Sequence, residues 1–238
     1  MKESHEPLAE RMRPKRAADF LGQEKVFGEG AFLREAVKQG DIPSLLFWGP
    51  PGSGKTTLAR LLSRELSAEF TQLSAVTSGK KDLQAVIGQA QANREQGKRT
   101  ILFLDEIHRW NKAQQDALLP FVESGVLTLI GATTENPSFE VNAALLSRTR
   151  VLVLQKHSPE TLAALLRQAL ATDTVLLEKN TEASDEALQF IAAVSGGDAR
   201  QALNILEACA SQEKVITPES VEKVVERSHL LYDKGGEQ

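Results

Sequence analysis

The chain is poor in cysteine: Cys209 is the only one in 238 residues. A lone cysteine excludes an internal disulfide framework and a cysteine zinc cluster, and such usage fits a reducing compartment rather than secretion. Long hydrophobic runs are also missing. The longest, Leu45-Leu46-Phe47-Trp48 and Ile101-Leu102-Phe103-Leu104, are strand-sized, far below the roughly 20 residues of a membrane helix, and the N-terminus has no signal-peptide core. A soluble, cytoplasmic protein with no membrane partner is expected. Nor is there an excess of positive charge: 28 Lys+Arg against 32 Asp+Glu leave a net charge of −4, unlike a uniformly basic nucleic-acid binder. The balance is uneven, however. Residues 1–154 carry 20 basic and 18 acidic side chains (+2), whereas 155–238 carry 8 and 14 (−6), so a polyanion should meet the first part.

What is present is an ordinary globular composition, 41% hydrophobic and 25% charged, which sets aside disordered and fibrous classes. Residues 1–17 show no apolar period, and Arg11-Met12-Arg13-Pro14-Lys15-Arg16 reads as an extended basic arm. From Ser44 to Leu154, strand-like runs (Ser44–Trp48, Glu69–Ser74, Thr100–Leu104, Leu127–Thr133, Val151–Leu154) alternate with helical patterns near 55–66, 81–96, 111–123 and 139–147. This alternation predicts an α/β domain over 18–154 with a doubly wound, parallel, five-stranded sheet. Residues 155–230 show four amphipathic segments and no convincing strand. Ser158-Pro159-Glu160, Ser184-Asp185-Glu186, Asp198 and Thr217-Pro218-Glu219 mark their starts, predicting a small all-α domain. Residues 231–238, polar and glycine-rich, read as a flexible tail.

Gly49-Pro50-Pro51-Gly52-Ser53-Gly54-Lys55-Thr56 fits G-x-x-x-x-G-K-[ST] between a predicted strand and a predicted helix, the context the pattern requires. Glycines let backbone N–H groups turn inward around phosphates, and a helix N-terminus favours the anion. Lys55 reaches the β and γ oxygens, and the Thr56 hydroxyl can ligate Mg²⁺. With Thr57 added, this stretch is the expected ATP cradle. Fifty positions after Lys55, Ile101-Leu102-Phe103-Leu104-Asp105-Glu106 is an apolar run ending in two acids. It resembles a Walker B motif, with Asp105 holding Mg²⁺ through water and Glu106 polarising the attacking water. Asp105-Glu106-Ile107-His108 also spells a D-E-x-H helicase box, but those enzymes need a second motor domain, for which the remaining helical segment is too short. His108 therefore reads as a local hydrogen-bonding residue.

Leu127–Thr134 is a further predicted strand ending in hydroxyls, Thr134 lying 29 positions beyond Asp105. A P-loop, an Asp-Glu pair and then a strand-tip polar residue is the order of the AAA+ ATPases, and the chain resembles that family. The resemblance implies that Thr134, with Thr133 as the alternative, acts as sensor 1 toward the attacking water or γ-phosphate. Ser147-Arg148 is similar to the arginine finger of the clamp-loader branch, where Arg148 would enter a neighbouring subunit's ATP site; Arg150 is a weaker candidate. Such a guanidinium is worth roughly 10³–10⁵ in rate in other P-loop systems. Ser195-Gly196-Gly197-Asp198-Ala199-Arg200 is similar to the sensor 2 signature, and a cation in a first helical turn opposes the helix dipole, which favours a functional Arg200. Arg13-Pro14 with Phe20-Leu21-Gly22-Gln23 resembles the family's adenine-side segment.

The run Thr133-Thr134-Glu135-Asn136-Pro137-Ser138-Phe139, with Asp105 to Lys112 and Gln114-Gln115-Asp116, is very similar to the replication-associated recombination protein A family, whose eukaryotic relative is the Werner-helicase-interacting ATPase. The resemblance spans residues 7–236. It implies DNA-dependent ATP hydrolysis at stalled forks and gaps, on single-strand/double-strand junctions, with single-strand DNA-binding protein as a partner and association with the nucleoid. It also implies a tetramer built by a helical part beyond the Tyr232-Asp233-Lys234-Gly235 region, where this chain ends. For a DNA face, the residues support Lys80 and Lys81, at the start of the helix after the second strand, and Arg109 and Lys112, at the start of the helix after Walker B. A protein-threading motor is disfavoured because Thr77-Ser78-Gly79-Lys80-Lys81-Asp82 lacks an aromatic grip. A branch-migration motor would need a β-hairpin between Walker B and sensor 1. A nucleotide-switched scaffold remains the alternative, although Lys55, Asp105, Glu106, Arg148 and Arg200 are all in place.

Overall fold

The structure is a computed structural model that describes the backbone of residues 6–235 and the side chains of residues 6–227. It divides into two units. One is the continuous stretch Pro14–Gln155; the other joins the residues up to Arg13 with those from Lys156 onward. Among the described residues no helix is long and apolar enough to cross a membrane.

The described chain begins with a helical turn, α1 (Leu8–Arg11), that belongs to the discontinuous unit. In the continuous unit, α2 (Glu24–Phe27) and α3 (Phe32–Lys38) precede β1 (Leu45–Trp48), α4 (Lys55–Glu65), β2 (Glu69–Ser74), α5 (Lys80–Glu95) and β3 (Thr100–Asp105). A 3₁₀ turn (Ile107–Arg109), α6 (Lys112–Asp116) and α7 (Leu119–Glu123) lead to β4 (Thr128–Thr133). Then α8 (Pro137–Glu140) and α9 (Ala143–Leu146) lead to β5 (Arg150–Val153). The five strands are all parallel, in the order β2-β3-β4-β1-β5.

Continuous apolar runs make the central strands because both faces are covered. Leu45 and Phe47 of β1, Ile101 and Phe103 of β3 and Ile130 and Ala132 of β4 meet Leu58, Ala59 and Leu62 of α4 on one face. The alternate residues Leu46, Leu102, Leu104 and Leu129 meet Leu83, Val86, Ile87 and Ala90 of α5 on the other. The expected doubly wound sheet is thus observed.

Two predicted helices are broken. The pattern over 111–123 forms α6 and α7 because Pro120 has no N–H to donate and its ring clashes with the carbonyl four residues back, at Asp116, where α6 stops. The pattern over 139–147 forms α8 and α9, since Val141 is extended (φ −100°, ψ 138°) and Asn142 caps a fresh turn by accepting from the Ala144 N–H at 2.9 Å.

The discontinuous unit contains α10 (Pro159–Thr172), α11 (Thr174–Glu178), β6 (Glu182–Ala183), α12 (Asp185–Val194), α13 (Ala199–Ala210), β7 (Val215–Ile216) and α14 (Pro218–Gly235). Ser158, Ser184 and Asp198 cap their helices as expected, accepting from Thr161 N, Ala187 N and Gln201 N at 3.2, 3.1 and 3.0 Å. Three expectations need correction. Helix α11, capped by Asp173, is additional. The unit is not wholly helical, because β6 and β7 pair in parallel; two-residue strands are too short for a periodic signal. Helix α14 continues to Gly235, past the expected start of a tail at 231, there being no glycine or proline between Pro218 and Gly235 to stop it; residues 236–238 lie outside the described part.

The N-terminal stretch is likewise no arm over the described residues 7–13. Leu8 is fully buried in the helical core. Arg11 grips the Asp173 carboxylate with Nε and Nη2 at 2.7 and 3.0 Å, while Nη1 donates to Glu207 at 3.0 Å. Periodicity cannot reveal a single turn whose few apolar residues, Leu8 and the partly buried Ala9 and Met12, pack against a core formed by residues about 150 or more positions away.

Candidate nucleotide site and basic face

Parallel strands bring their C-terminal ends to one edge, where ligands bind in open α/β sheets. Here β3, β4 and β1 are neighbours, so the ends carrying Asp105, Thr133 with Thr134, and the loop from Gly49 share that edge. The loop is anchored to β4 by the Gly49 N–H, which donates to the Thr133 carbonyl at 3.2 Å. Gly49 is also packed so closely that a Cβ would lie 2.4 Å from the Leu154 carbonyl oxygen. Gly54, with φ +97°, opens α4 in a backbone conformation natural only to glycine. Ser53 is buried, its hydroxyl donating to the Pro50 carbonyl at 2.9 Å, and Thr56 and Thr57 are half-buried in the first turn of α4.

Lys55 is 8% exposed, and its ammonium donates to the Gly49 and Pro50 carbonyls at 2.7 and 2.9 Å. A buried ammonium solvated by its own loop is a cation held ready for phosphate oxygens. The curled loop, this ammonium and the α4 N-terminus, which has no acid in its first turn, fit a nucleotide phosphate chain. The Thr56 hydroxyl and Asp105 carboxylate are hard oxygen donors suited to Mg²⁺.

Gln23 is a contributor that sequence reasoning did not single out by itself. It is buried, donates from Nε2 to the Ser53 and Gln155 carbonyls at 3.1 and 2.8 Å, and accepts from the Gln155 N–H at 3.1 Å, clasping the loop from behind. The Phe20 ring lies against Gly54. The Phe20–Gln23 segment thus meets the phosphate loop through two side chains, and the only sequence signal was its position in the resemblance.

Asp105 and Glu106 are both half-buried at the end of β3, and the Glu106 N–H donates to Asp105 Oδ1 at 3.1 Å. Glu106 has φ +54° and ψ 43°, a left-handed conformation uncommon for glutamate and typical of strain held at functional positions. His108 makes a local hydrogen bond, as expected: Nδ1 is 3.0 Å from Thr133 Oγ1, while Nε2 approaches Glu106 Oε2 to 3.3 Å. Thr133 is fully buried with its hydroxyl engaged there, whereas Thr134 is half-exposed just past the strand end.

Arg148 precedes β5, whose first residue pairs with Leu45 at the start of β1, so it sits toward the sheet edge opposite the phosphate loop. It is exposed and donates to the Glu123 carboxylate, and to the Ala144 carbonyl and Ser147 Oγ at 2.8 and 3.0 Å. Arg150, at the start of β5, stacks its guanidinium 3.5 Å over the Phe32 ring, which accounts for it without a role at the site. Arg200 is exposed in the first turn of α13, in the helical unit.

Lys80, Lys81, Arg109 and Lys112 are all exposed. Lys80 and Lys81 open α5 and Lys112 opens α6, but Arg109, expected at the same helix start as Lys112, instead ends the 3₁₀ turn; the two segments are tied together by Trp110, a buried residue whose indole N–H donates to the Ser78 carbonyl at 3.1 Å. Between β3 and β4 the chain holds only helical turns and no strand.

The fold and the site define a P-loop ATPase of the AAA class. The family description "ATPase family associated with various cellular activities" matches residues 45–157, and that of the AAA C-terminal domain matches 177–238. Within that class the chain belongs to the replication-associated recombination protein A family. The Escherichia coli (strain K12) protein of that name is 44% identical over 241 residues, covering 98% of this chain and 54% of the relative. A Dictyostelium discoideum protein named ATPase WRNIP1 is 40% identical over 258 residues, covering 99% of this chain and 30% of the relative. This chain therefore spans 54% of the length of the Escherichia coli relative and 30% of that of the Dictyostelium discoideum one. A solved structure of the Thermotoga maritima RuvB Holliday junction branch migration motor superposes with TM-score 0.72 at 30% identity, covering 90% of this chain and 72% of that one.

Proposed function

We propose that this chain binds and hydrolyses ATP with Mg²⁺ and couples turnover to remodelling of DNA at stalled replication forks and gaps, acting on single-strand/double-strand junctions beside single-strand DNA-binding protein. In this reading Gly49–Thr57 wraps the phosphates, and Lys55 exchanges its two loop carbonyls for phosphate oxygens. Thr56 and, through water, Asp105 would hold Mg²⁺, which when bound would supply neutralisation of phosphate charge. Glu106 takes a proton from the attacking water, and Thr134 positions that water or the γ-phosphate. Arg148, facing away from its own loop, serves a neighbouring copy in a homo-oligomer, a tetramer in the longer family members. Arg200, exposed in the first turn of α13, is the sensor 2 candidate that the family resemblance assigns to nucleotide sensing.

The observation that supports the DNA part is the Trp110–Ser78 bond, which ties together the two segments on which Lys80, Lys81, Arg109 and Lys112 are exposed. Cations and helix N–H groups together recognise phosphate backbone without reading sequence. The test is steady-state ATP hydrolysis against protein concentration, with and without DNA containing a single-strand/double-strand junction. Turnover rising with both is expected. Turnover indifferent to DNA and concentration would refute DNA coupling and the shared site.

A further inference from the structure

We infer that His108 is a positioning residue for ATP hydrolysis: its ring links the tip of β4 to the carboxylate of Glu106 and holds that carboxylate in its working orientation. The inference rests on the ATPase reading, in which Glu106 is the proton acceptor.

The contacts around the ring have a direction. Thr133 Oγ1 accepts from the Glu135 N–H at 3.0 Å, so its own proton goes either to His108 Nδ1, at 3.0 Å, or to the Glu135 carbonyl, at a poorer 3.4 Å. Donation to Nδ1 makes that nitrogen the acceptor and leaves the proton of the neutral ring on Nε2. Nε2 lies 3.3 Å from Glu106 Oε2, an ion-pair distance rather than a hydrogen bond, so this tautomer turns its N–H edge toward the carboxylate, whereas the other would aim a lone pair at an anion. The His108 side chain is only 9% exposed and Thr133 is sealed, which leaves the ring few alternatives.

Glu106 needs such support. Its left-handed backbone opens the 3₁₀ turn on which His108 stands, so the same turn that strains the carboxylate's backbone supplies the donor that orients its side chain. Gly49 donates to the Thr133 carbonyl while the Thr133 hydroxyl engages His108. One buried threonine thus connects the phosphate loop to Glu106 through the imidazole, giving the loop a route by which to bias the acceptor. Displacement of a reacting group by about 1 Å can cost on the order of a hundredfold in rate.

The test uses the two ring nitrogens separately. His108→Ala should lower kcat about tenfold to a hundredfold with KM for ATP within about twofold. Gln places an amide donor near Nε2 and should recover most of the turnover; Asn reproduces only the Nδ1 side and should not. Thr133→Val should slow turnover, and adding it to His108→Ala should cost little more, because both act through one chain. Nitrogen NMR of the unmodified chain should show the His108 ring protonated at Nε2, a readout that needs neither folding of a variant nor turnover. A ring protonated at Nδ1, or wild-type kcat in His108→Ala alongside an inactive Glu106→Gln, overturns the inference and leaves the ATPase reading standing. An active Glu106→Gln takes Glu106, and with it this inference, out of the mechanism while ATP hydrolysis itself stands; an unmodified chain that binds but never hydrolyses ATP is what removes the ATPase reading.

Discussion

Arg148 donates through Nε to the Glu123 carboxylate and through Nη1 to the Ala144 carbonyl at 2.8 Å, so the candidate finger lies folded on its own protomer. If Arg148 acts in a neighbour's site, Glu123 competes with that site for the guanidinium. Glu123→Gln should raise turnover at limiting protein concentration by at most about fivefold, since an exposed pair is worth roughly 0.2–1 kcal/mol. Arg148→Ala should reduce turnover by orders of magnitude at every concentration. Hydrolysis rates across a protein titration read both; a Glu123→Gln protein slower than the parent would make the carboxylate a partner of the working finger.

Lys55 and Glu106 should separate binding from chemistry. Lys55→Ala removes the only ammonium bonded to the Gly49 and Pro50 carbonyls among the described residues, and should abolish binding of a fluorescent ATP analogue. Glu106→Gln keeps shape and hydrogen bonding, so binding should persist while kcat falls about 10²–10⁴-fold. Normal turnover in Glu106→Gln would take Glu106 out of the mechanism.

Charge reversal at Lys80 and Lys81 should weaken DNA affinity and lower the slope of log K against log salt by about 1 per lost phosphate contact. Trp110→Phe keeps the ring but loses the indole N–H, and should weaken DNA binding less, with the salt slope retained. Binding isotherms at several salt concentrations distinguish the two; unchanged affinity in the lysine variant would move the DNA site elsewhere.

Arg11 tests the docked N-terminal turn. Its Arg11→Ala variant leaves Asp173, whose side chain is only 4% exposed, without its cation, and should cost the helical unit about 3–5 kcal/mol at neutral pH. Burial tends to raise the Asp173 carboxyl pKa, but hydrogen bonds from Arg11 and the Leu176 N–H outweigh it and hold it below the ordinary carboxylate value. A lowered folded pKa means the stabilisation is complete above about pH 3.9 and disappears as pH falls through the folded value. The deficit of Arg11→Ala should therefore shrink in acid. Urea unfolding by circular dichroism at neutral and acid pH measures this, and a pH-independent deficit would show that Asp173 is not the partner that matters. Trp48 and Trp110 both lie in the other unit, so their fluorescence provides an internal control.

Much of this was legible in the residues. The strands were, because β1, β3 and β4 are apolar on both faces, and so was the phosphate loop, because its glycines have a local geometric purpose. The helix caps Ser158, Ser184 and Asp198 are local bonds between residues three apart and could be read directly. What escaped depends on tertiary proximity or on an overlooked local rule. Pro120 ends a helix by a known steric rule that the apolar period outweighed. Gln115, buried and donating to the Trp110 and Glu140 carbonyls while accepting from the Asn142 N–H, looks in sequence like any surface glutamine. Thr133 and Thr134 could not be ranked from a strand pattern, and only the His108 contact separates the engaged hydroxyl from its half-exposed neighbour.

The discontinuity of the helical unit has a consequence for synthesis. Leu8 and Arg11 leave the ribosome first, but the core and carboxylates that receive them follow an intervening stretch of 142 residues, 14–155. At roughly 5–20 residues per second, that stretch takes about 7–30 s to translate. The sheet unit can complete its fold within that interval, while the first helical turn waits for its core. Closure of the helical unit is therefore a late, long-range event, and a pause in translation before Lys156 would leave Leu8 uncovered and Arg11 without its carboxylates while the sheet unit is already complete.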